Sequence, residues 1–183
     1  MTTIIGIAGS VRNGSYNAAL LRAAADVVPQ GCVLEIASIK DIPLYNGDLE
    51  ASQGIPGPVT ELKDRIANAG GLLLVTPEYN NSLPGVLKNA IDWLTRPPTD
   101  IRRVFRDRSV GIIGTTPGAL GTRLAQTAWL PVFRALGMRP WFGSQLYVGN
   151  ASKVFDASGN LVEDDIRERL TAYMTGFAAF VAS

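Results

Sequence analysis

A doubly wound α/β fold, with a five-stranded parallel sheet and helices on both faces, is predicted by three features of this chain. Short apolar runs alternate with longer segments of helical spacing. Several of those runs are apolar without interruption, and no Ser-, Gly- or charge-rich linker divides the 183 residues. A strand covered on one face alternates apolar and polar side chains, whereas one covered on both reads as a continuous apolar run. Ile4-Ile5-Gly6-Ile7-Ala8, Leu72-Leu73-Leu74-Val75 and Val110-Gly111-Ile112-Ile113 are of the second kind. The length suits one core, since single domains commonly hold roughly 100–200 residues, so one domain is expected over 1–183.

Strands are expected at 3–8, 32–37, 71–76, 109–115 and 141–148. Between them, 17–28 places Leu20, Leu21 and Ala24 on one face and stops before Pro29. Residues 58–69 carry Val59, Leu62 and Ile66 at helical spacing, with Pro58 in the first turn and Gly70 just past the end. Residues 87–95 end at Pro97-Pro98, 120–136 contain Pro131 and should kink there, and 163–181 start acidic, as a helix dipole favours. Consecutive βα units give parallel strands with right-handed crossovers. Five strands favour the flavodoxin-like order 2-1-3-4-5 over a six-stranded dinucleotide fold, and in either the ligand sits beyond the C-terminal ends of the strands.

Composition narrows the function. With 17 basic and 16 acidic side chains and no block of either sign, nucleic acid is not the expected partner, because a phosphate-tracking surface needs a basic excess. No apolar run has the roughly 18 residues of a membrane span, and the start of the chain lacks the basic flank of a signal peptide; a cytoplasmic protein is expected. Cys32 is the only cysteine, so no intramolecular disulfide forms, and its apolar neighbours make it a small core side chain. There is no histidine. Ser-His and Cys-His chemistry are thereby excluded, and a cofactor bringing its own reactivity becomes the better account.

The turn after the first strand reads Gly9-Ser10-Val11-Arg12-Asn13-Gly14-Ser15-Tyr16-Asn17 and opens a helix. Hydroxyls at Ser10 and Ser15, the Arg12 guanidinium, the Asn17 amide and backbone N–H groups at the helix start suit a phosphate. The alternative is a solvated turn whose Ser and Asn only cap the helix. The turn lacks both the Gly-x-Gly-x-x-Gly pattern for a pyrophosphate and the Gly-Lys-Ser/Thr of nucleoside triphosphatases, so a terminal monophosphate fits better. After the third strand come Thr76-Pro77-Glu78-Tyr79-Asn80-Asn81-Ser82-Leu83-Pro84-Gly85, polar groups on a proline-stiffened backbone that suit a flat heteroaromatic ring. Glu78 has no second carboxylate near it in sequence, so it reads equally as a ligand contact or as a loop hydrogen-bonding residue. Thr115-Thr116-Pro117-Gly118-Ala119-Leu120-Gly121 follows the fourth strand, and Gly118 and Gly121 there permit close backbone approach or a tight turn.

The first turn resembles the Gly-Ser-x-Arg-x-x-Ser-x-Asn loop of the NAD(P)H-dependent FMN reductases. The second resembles their Pro-Glu-Tyr-Asn-x-Ser-x-Pro-Gly loop and Leu-Lys-Asn-Ala-x-Asp-Trp helix, and the likeness extends through Asp41-Ile42-Pro43-Leu44-Tyr45 to about the fifth strand. Within that family the chain is most similar to bacterial chromate and quinone reductases. The resemblance implies FMN, its phosphate at Ser10, Arg12, Ser15, Tyr16 and Asn17. It implies ring and ribityl contacts from Pro77, Glu78, Tyr79, Asn80 and Asn81 and from the loop near Thr116 and Gly118. It also implies NADPH or NADH as electron donor and ping-pong hydride transfer to quinones, free flavins, azo compounds or chromate, with no catalytic side chain beyond the flavin. A flavodoxin-like electron carrier or a flavin-binding regulatory module is the competing reading; a net charge of +1 offers no one-signed docking surface to favour a carrier. The chain departs from the family at Gly121-Thr122-Arg123, where a paired-glycine turn often precedes the Arg. Finally, Val86, Leu87, Ile91 and Trp93 spread over more than one face of their helix, which calls for cover on two sides; a homodimer or homotetramer with this helix near the interface is expected.

Overall fold

The computed structural model describes residues 1–183. β1 (Thr2–Ala8) leads through α1 (Tyr16–Asp26) to β2 (Cys32–Ala37), and α2 (Gly47–Gln53) and α3 (Gly57–Asn68) connect this strand to β3 (Gly71–Val75). α4 (Gly85–Leu94), a single 3₁₀ turn (Pro98–Asp100) and the short α5 (Ile101–Val104) precede β4 (Ser109–Thr115). α6 (Arg123–Ala135) follows, then two strands of two residues each, β5 (Arg139–Pro140) and β6 (Tyr147–Val148), and finally α7 (Ala151–Val154) and α8 (Asp164–Ala182). The sheet order is β2-β1-β3-β4-β5, every pairing parallel. This is the predicted flavodoxin-like arrangement.

The uninterrupted apolar runs owe their character to two cores, one on each face. Ile5, Ile7, Leu72, Leu74 and Val110 pack with Val59 and Ile66 of α3, Leu87 and Trp93 of α4, and Trp129 and Phe133 of α6. Ile4, Leu73, Val75 and Ile113 point the other way, onto Leu20 and Leu21 of α1 and Met174 and Phe177 of α8. Since successive strand residues face opposite sides, double cover leaves no position for a polar side chain.

The fifth strand requires correction. Residues 141–148 do not form one strand: β5 pairs with Ser109 and Val110 at one end of β4, β6 with Gly114 and Thr115 at the other, and the chain between them leaves the sheet. Trp141, whose backbone N–H still donates to the Val110 carbonyl, packs its side chain at the point of departure. Its indole lies against the backbone of Gly143 and Gly176, where an added Cβ would stand 2.7 Å from it at either position, and it meets Tyr173 edge-on at 4.7 Å. The ladder left open at Ile112 is closed by a side chain: the Tyr173 hydroxyl accepts from the Ile112 N–H at 2.9 Å and donates to its carbonyl at 3.1 Å. Burial pushes the Tyr173 pKa well above its ordinary value, which keeps that donor protonated.

The second cover for α4 comes from the chain itself. Leu87, Ile91, Trp93 and Leu94 are all buried, and only Val86 among the apolar positions is half-exposed. Residues 43–45 run across the helix as a strap: Trp93 Nε1 donates to the Pro43 carbonyl at 2.9 Å, Asn89 donates to the same carbonyl and accepts from the Tyr45 N–H, each at 2.8 Å, and the Tyr45 ring meets Trp93 edge-on. α4 therefore needs no partner subunit to cover its apolar positions. The neighbouring α2 was not expected; it buries no residue, so no apolar period announced it, and its cap, Asn46 accepting from the Asp48 N–H, sits in what reads as a turn. Cys32 is half-buried rather than sealed in the core, and desolvation raises its thiol pKa, which disfavours the reactive thiolate.

Candidate functional site

Three loops meet beyond the C-terminal ends of β1, β3 and β4, and the backbone of Gly9 is where the first two touch. An added Cβ at Gly9 would come within 2.9 Å of Pro77 and of Leu87 and 3.3 Å of Pro84. Glycine here is a packing requirement that lets the β1 turn lie against the prolines of the β3 loop. Gly114 does the same between β3 and the third loop: its Cβ would stand 2.1 Å from the Thr76 carbonyl oxygen and 2.3 Å from Thr122 Oγ1. Gly149 lets the segment after β6 fold under the third loop, its Cβ position 2.3 Å from the Ala119 carbonyl oxygen. None of these three glycines stood out as a site residue in the sequence, because their reason lies in contacts with distant segments.

In the first turn, no backbone N–H from Ser10 through Asn17 reaches a protein acceptor with good hydrogen-bond geometry. The Ser15 hydroxyl accepts from the Ala18 N–H at 3.2 Å, the N-cap of α1, and donates to nothing in the protein, and the Ser10 hydroxyl is unpaired. Arg12 is exposed, its guanidinium 5.3 Å from the centre of the Tyr16 ring, and Tyr16 in turn stacks on Phe155. A run of unsatisfied donors at a helix start, beside a cation and with no carboxylate in the turn, has the chemistry that could hold a monoanion or dianion.

Asn17 has a different task from its neighbours. Its side-chain amide is buried, donates to the Thr115 carbonyl at 2.9 Å and accepts from the Thr115 N–H at 3.0 Å. β3 has already turned away at Pro77, so this amide takes the place of the missing strand at the end of β4. What Asn17 retains for a ligand is its backbone N–H.

The second loop is a tight hairpin. Tyr79 and Ser82 exchange two backbone hydrogen bonds at 3.1 Å, and Asn80 and Asn81 between them both have positive φ, 50° and 61°. Two left-handed residues in a row define a type I′ turn, which asparagine tolerates. Pro77 is buried beneath it, while Tyr79, Asn80 and Asn81 are exposed. Glu78 is half-buried, and one carboxylate oxygen accepts from the Leu124 and Ala125 N–H groups at 2.9 and 3.0 Å. It caps α6 from 46 residues away in sequence, where that helix's own Thr122 makes no capping bond. In the third loop, Thr116 donates its N–H to the Val148 carbonyl, and the Gly118 carbonyl accepts from Asn150; Gly118 itself is exposed, with space around its Cβ position. At the departure from the family pattern, Gly121 holds φ +67° against Tyr147 and Thr122 is buried, its hydroxyl accepting from Gln126 at 3.0 Å.

The profile of one family, the NADPH-dependent FMN reductases, matches residues 2–153, which hold all three loops. The chain belongs to that family. It is 39% identical over 178 residues to an NAD(P)H-dependent FMN reductase of Pseudomonas aeruginosa, covering 97% of this chain and 94% of that one. It is 38% identical over 175 residues to a 2-hydroxy-1,4-benzoquinone reductase of Burkholderia, covering 96% and 93%. Among solved structures it is similar to FerB, a flavoenzyme NAD(P)H:(acceptor) oxidoreductase of Paracoccus denitrificans, with a TM-score of 0.87, 30% identity, and coverage of 100% of this chain and 98% of that one. As an FMN reductase, the protein is an FMN-dependent NAD(P)H oxidoreductase. The residues present suit that cofactor: the unpaired donors of the first turn match one terminal phosphate, and the exposed second and third loops leave a broad rim for a flat ring.

Glu78 supplies a test of how this site works. Glu78→Gln keeps an oxygen that can accept both α6 N–H groups and loses only the charge at the helix start, a change of about 0.3–1 kcal/mol in stability. With flavin occupancy verified to be full, kcat should stay within about threefold of wild type. A proton donor removed from this position would instead cost roughly a hundredfold or more, and a loss of that size would overturn the structural role.

Proposed function

We propose that this FMN reductase passes electrons from NAD(P)H to small acceptors of the quinone class by a ping-pong mechanism, with free flavins, azo compounds and chromate as further acceptors. Bound FMN would supply the hydride chemistry. The observation that carries the reading is the site's division of labour: a turn with unpaired donors stands beside an exposed rim, and Glu78, the loop carboxylate there, is tied to α6. The first turn, through Ser10, Arg12, Ser15, Tyr16 and the Asn17 backbone, would hold the phosphate. Pro77, Glu78, Tyr79, Asn80 and Asn81, with Thr116 and Gly118, would orient the ring from rigid backbone. The names of the Burkholderia and Paracoccus relatives support a quinone or similar acceptor.

Purified FMN-loaded protein should oxidise NADPH or NADH when a benzoquinone is supplied, with parallel double-reciprocal lines as donor and acceptor are varied. Turnover no faster than that of free FMN would defeat the reading and favour an electron carrier or regulatory module.

The protein is further proposed to be one domain over 1–183, cytoplasmic, and a homodimer or homotetramer. No helix is long and apolar enough to cross a membrane. Support for assembly comes from exposed apolar side chains: Leu120 at 81%, Phe142 at 62%, Leu124 at 49% and, at the tip of the α4 strap, Leu44 at 81%. Such a set belongs at a subunit contact more readily than in water. Sedimentation of a flavin-bound monomer at micromolar concentration would rule out the dimer.

A further inference from the structure

Between the first turn, whose Ser10, Val11 and Arg12 form one wall, and the segment after β2 lies a concavity of about 330 Å³. Its floor is apolar, from Ala8, Leu21 and Ala37, and its rim carries Arg12, Arg22 and Lys40, with no carboxylate among the residues that line it. Arg22 and Lys40 form no ion pair and their side chains donate no hydrogen bond within the protein. The chain's ion pairs lie elsewhere, in contacts such as Lys63–Asp100 and Arg96–Glu50. The convergence is local. On a chain of net charge +1, the concavity across β2 is lined by Glu35, Glu61, Asp64 and Arg65, and the lining of the one that continues from Arg22 along α1 includes both Arg167 and Asp26.

Like charges brought to one hollow repel each other, and an anion with more than one charge relieves that repulsion. Arginine adds a fork of donors matched to phosphate oxygens. The apolar floor calls for a ligand with a flat or aliphatic body as well as the charge. The phosphate of bound FMN is already assigned to the first turn, and of the two electron donors NADPH alone carries a phosphate monoester away from its reacting ring, the 2′-phosphate on adenosine that NADH lacks. We infer that this hollow holds the 2′-phosphoadenosine end of NADPH, with Arg22 and Lys40 gripping the phosphate. The inference rests on the donor chemistry proposed above. It locates a donor-selecting site that no local motif shows, because its cations come from the first turn, the middle of α1 and the segment after β2.

Calorimetric titration of the FMN-loaded protein with 2′,5′-ADP, 5′-AMP and inorganic phosphate tests it without turnover. Wild type should bind 2′,5′-ADP at least about tenfold more tightly than either comparator, the scale of one or two charge-assisted hydrogen bonds. Arg22→Gln with Lys40→Gln, both exposed positions, should remove that margin with FMN occupancy and melting temperature unchanged. The same variant should lower kcat/KM for NADPH about tenfold or more and leave NADH untouched. Equal binding of 2′,5′-ADP and 5′-AMP, phosphate binding as tightly as 2′,5′-ADP, or an equal loss for NADPH and NADH would overturn the inference. Failure of the protein to oxidise either donor would defeat the proposed function instead, and the nucleotide titration would still decide the hollow.

Discussion

Riboflavin should bind the flavin-free protein at least about a hundredfold more weakly than FMN. The two ligands share ring and ribityl chain and differ in a terminal phosphate, so their ratio reads the first turn alone. The backbone N–H groups from Ser10 through Asn17 have no acceptor in the protein, and the Ser10 and Ser15 hydroxyls have protons to donate. A hydrogen bond to a charged group contributes about 1.5–3 kcal/mol, so two such bonds already account for a hundredfold. FAD, whose second phosphate carries a nucleotide into a turn without a pyrophosphate pattern, should also bind more weakly than FMN. Arg12→Ala should weaken FMN by roughly 1.5–3 kcal/mol, toward the lower end because the side chain is exposed and already stacked on Tyr16. Fluorescence titration of the three flavins would check the order, and equal affinity for riboflavin and FMN would sink the phosphate role of the turn.

Asn17→Ala should destabilise the fold by about 2–4 kcal/mol, even with no flavin present. The substitution removes two hydrogen bonds and leaves the Thr115 N–H and carbonyl, at a residue only 1% exposed, without partners. Each orphaned buried group costs about 1–3 kcal/mol. Asn17→Asp should not rescue it, since a carboxylate cannot donate to the Thr115 carbonyl. Chemical denaturation of the flavin-free protein reads this directly. An unfolding free energy within about 0.5 kcal/mol of wild type would mean that the amide is dispensable to the fold and acts only toward a ligand.

These two residues show where sequence reading stops. Both belong to the family's phosphate loop, and the motif presents them as equivalent donors. In the structure Arg12 stays outside and Asn17 turns inward to a residue 98 positions away. Glu78 follows the same pattern, poised in the sequence between ligand and loop roles and tied in the structure to the start of α6. Trp93 contributed to an expected subunit contact, yet its indole is covered by the strap at Pro43, 50 residues earlier.

By itself, the sequence determined the four full strands, their parallel order, the three polar loops that follow β1, β3 and β4, and the need for a cofactor in a chain without histidine. Those properties are written locally: double burial shows as an unbroken apolar run, a helix end as a cap or proline, a polar loop as clustered donors at one strand end. Only the tertiary structure decided that the fifth strand breaks, with Tyr173 closing the gap, that α4 is covered from within its own chain, and that Arg12, Arg22 and Lys40 surround one hollow. Each of these depends on which distant segments come into contact, and hydrogen-bond partners and charge clusters set by such contacts leave no period or motif in the chain.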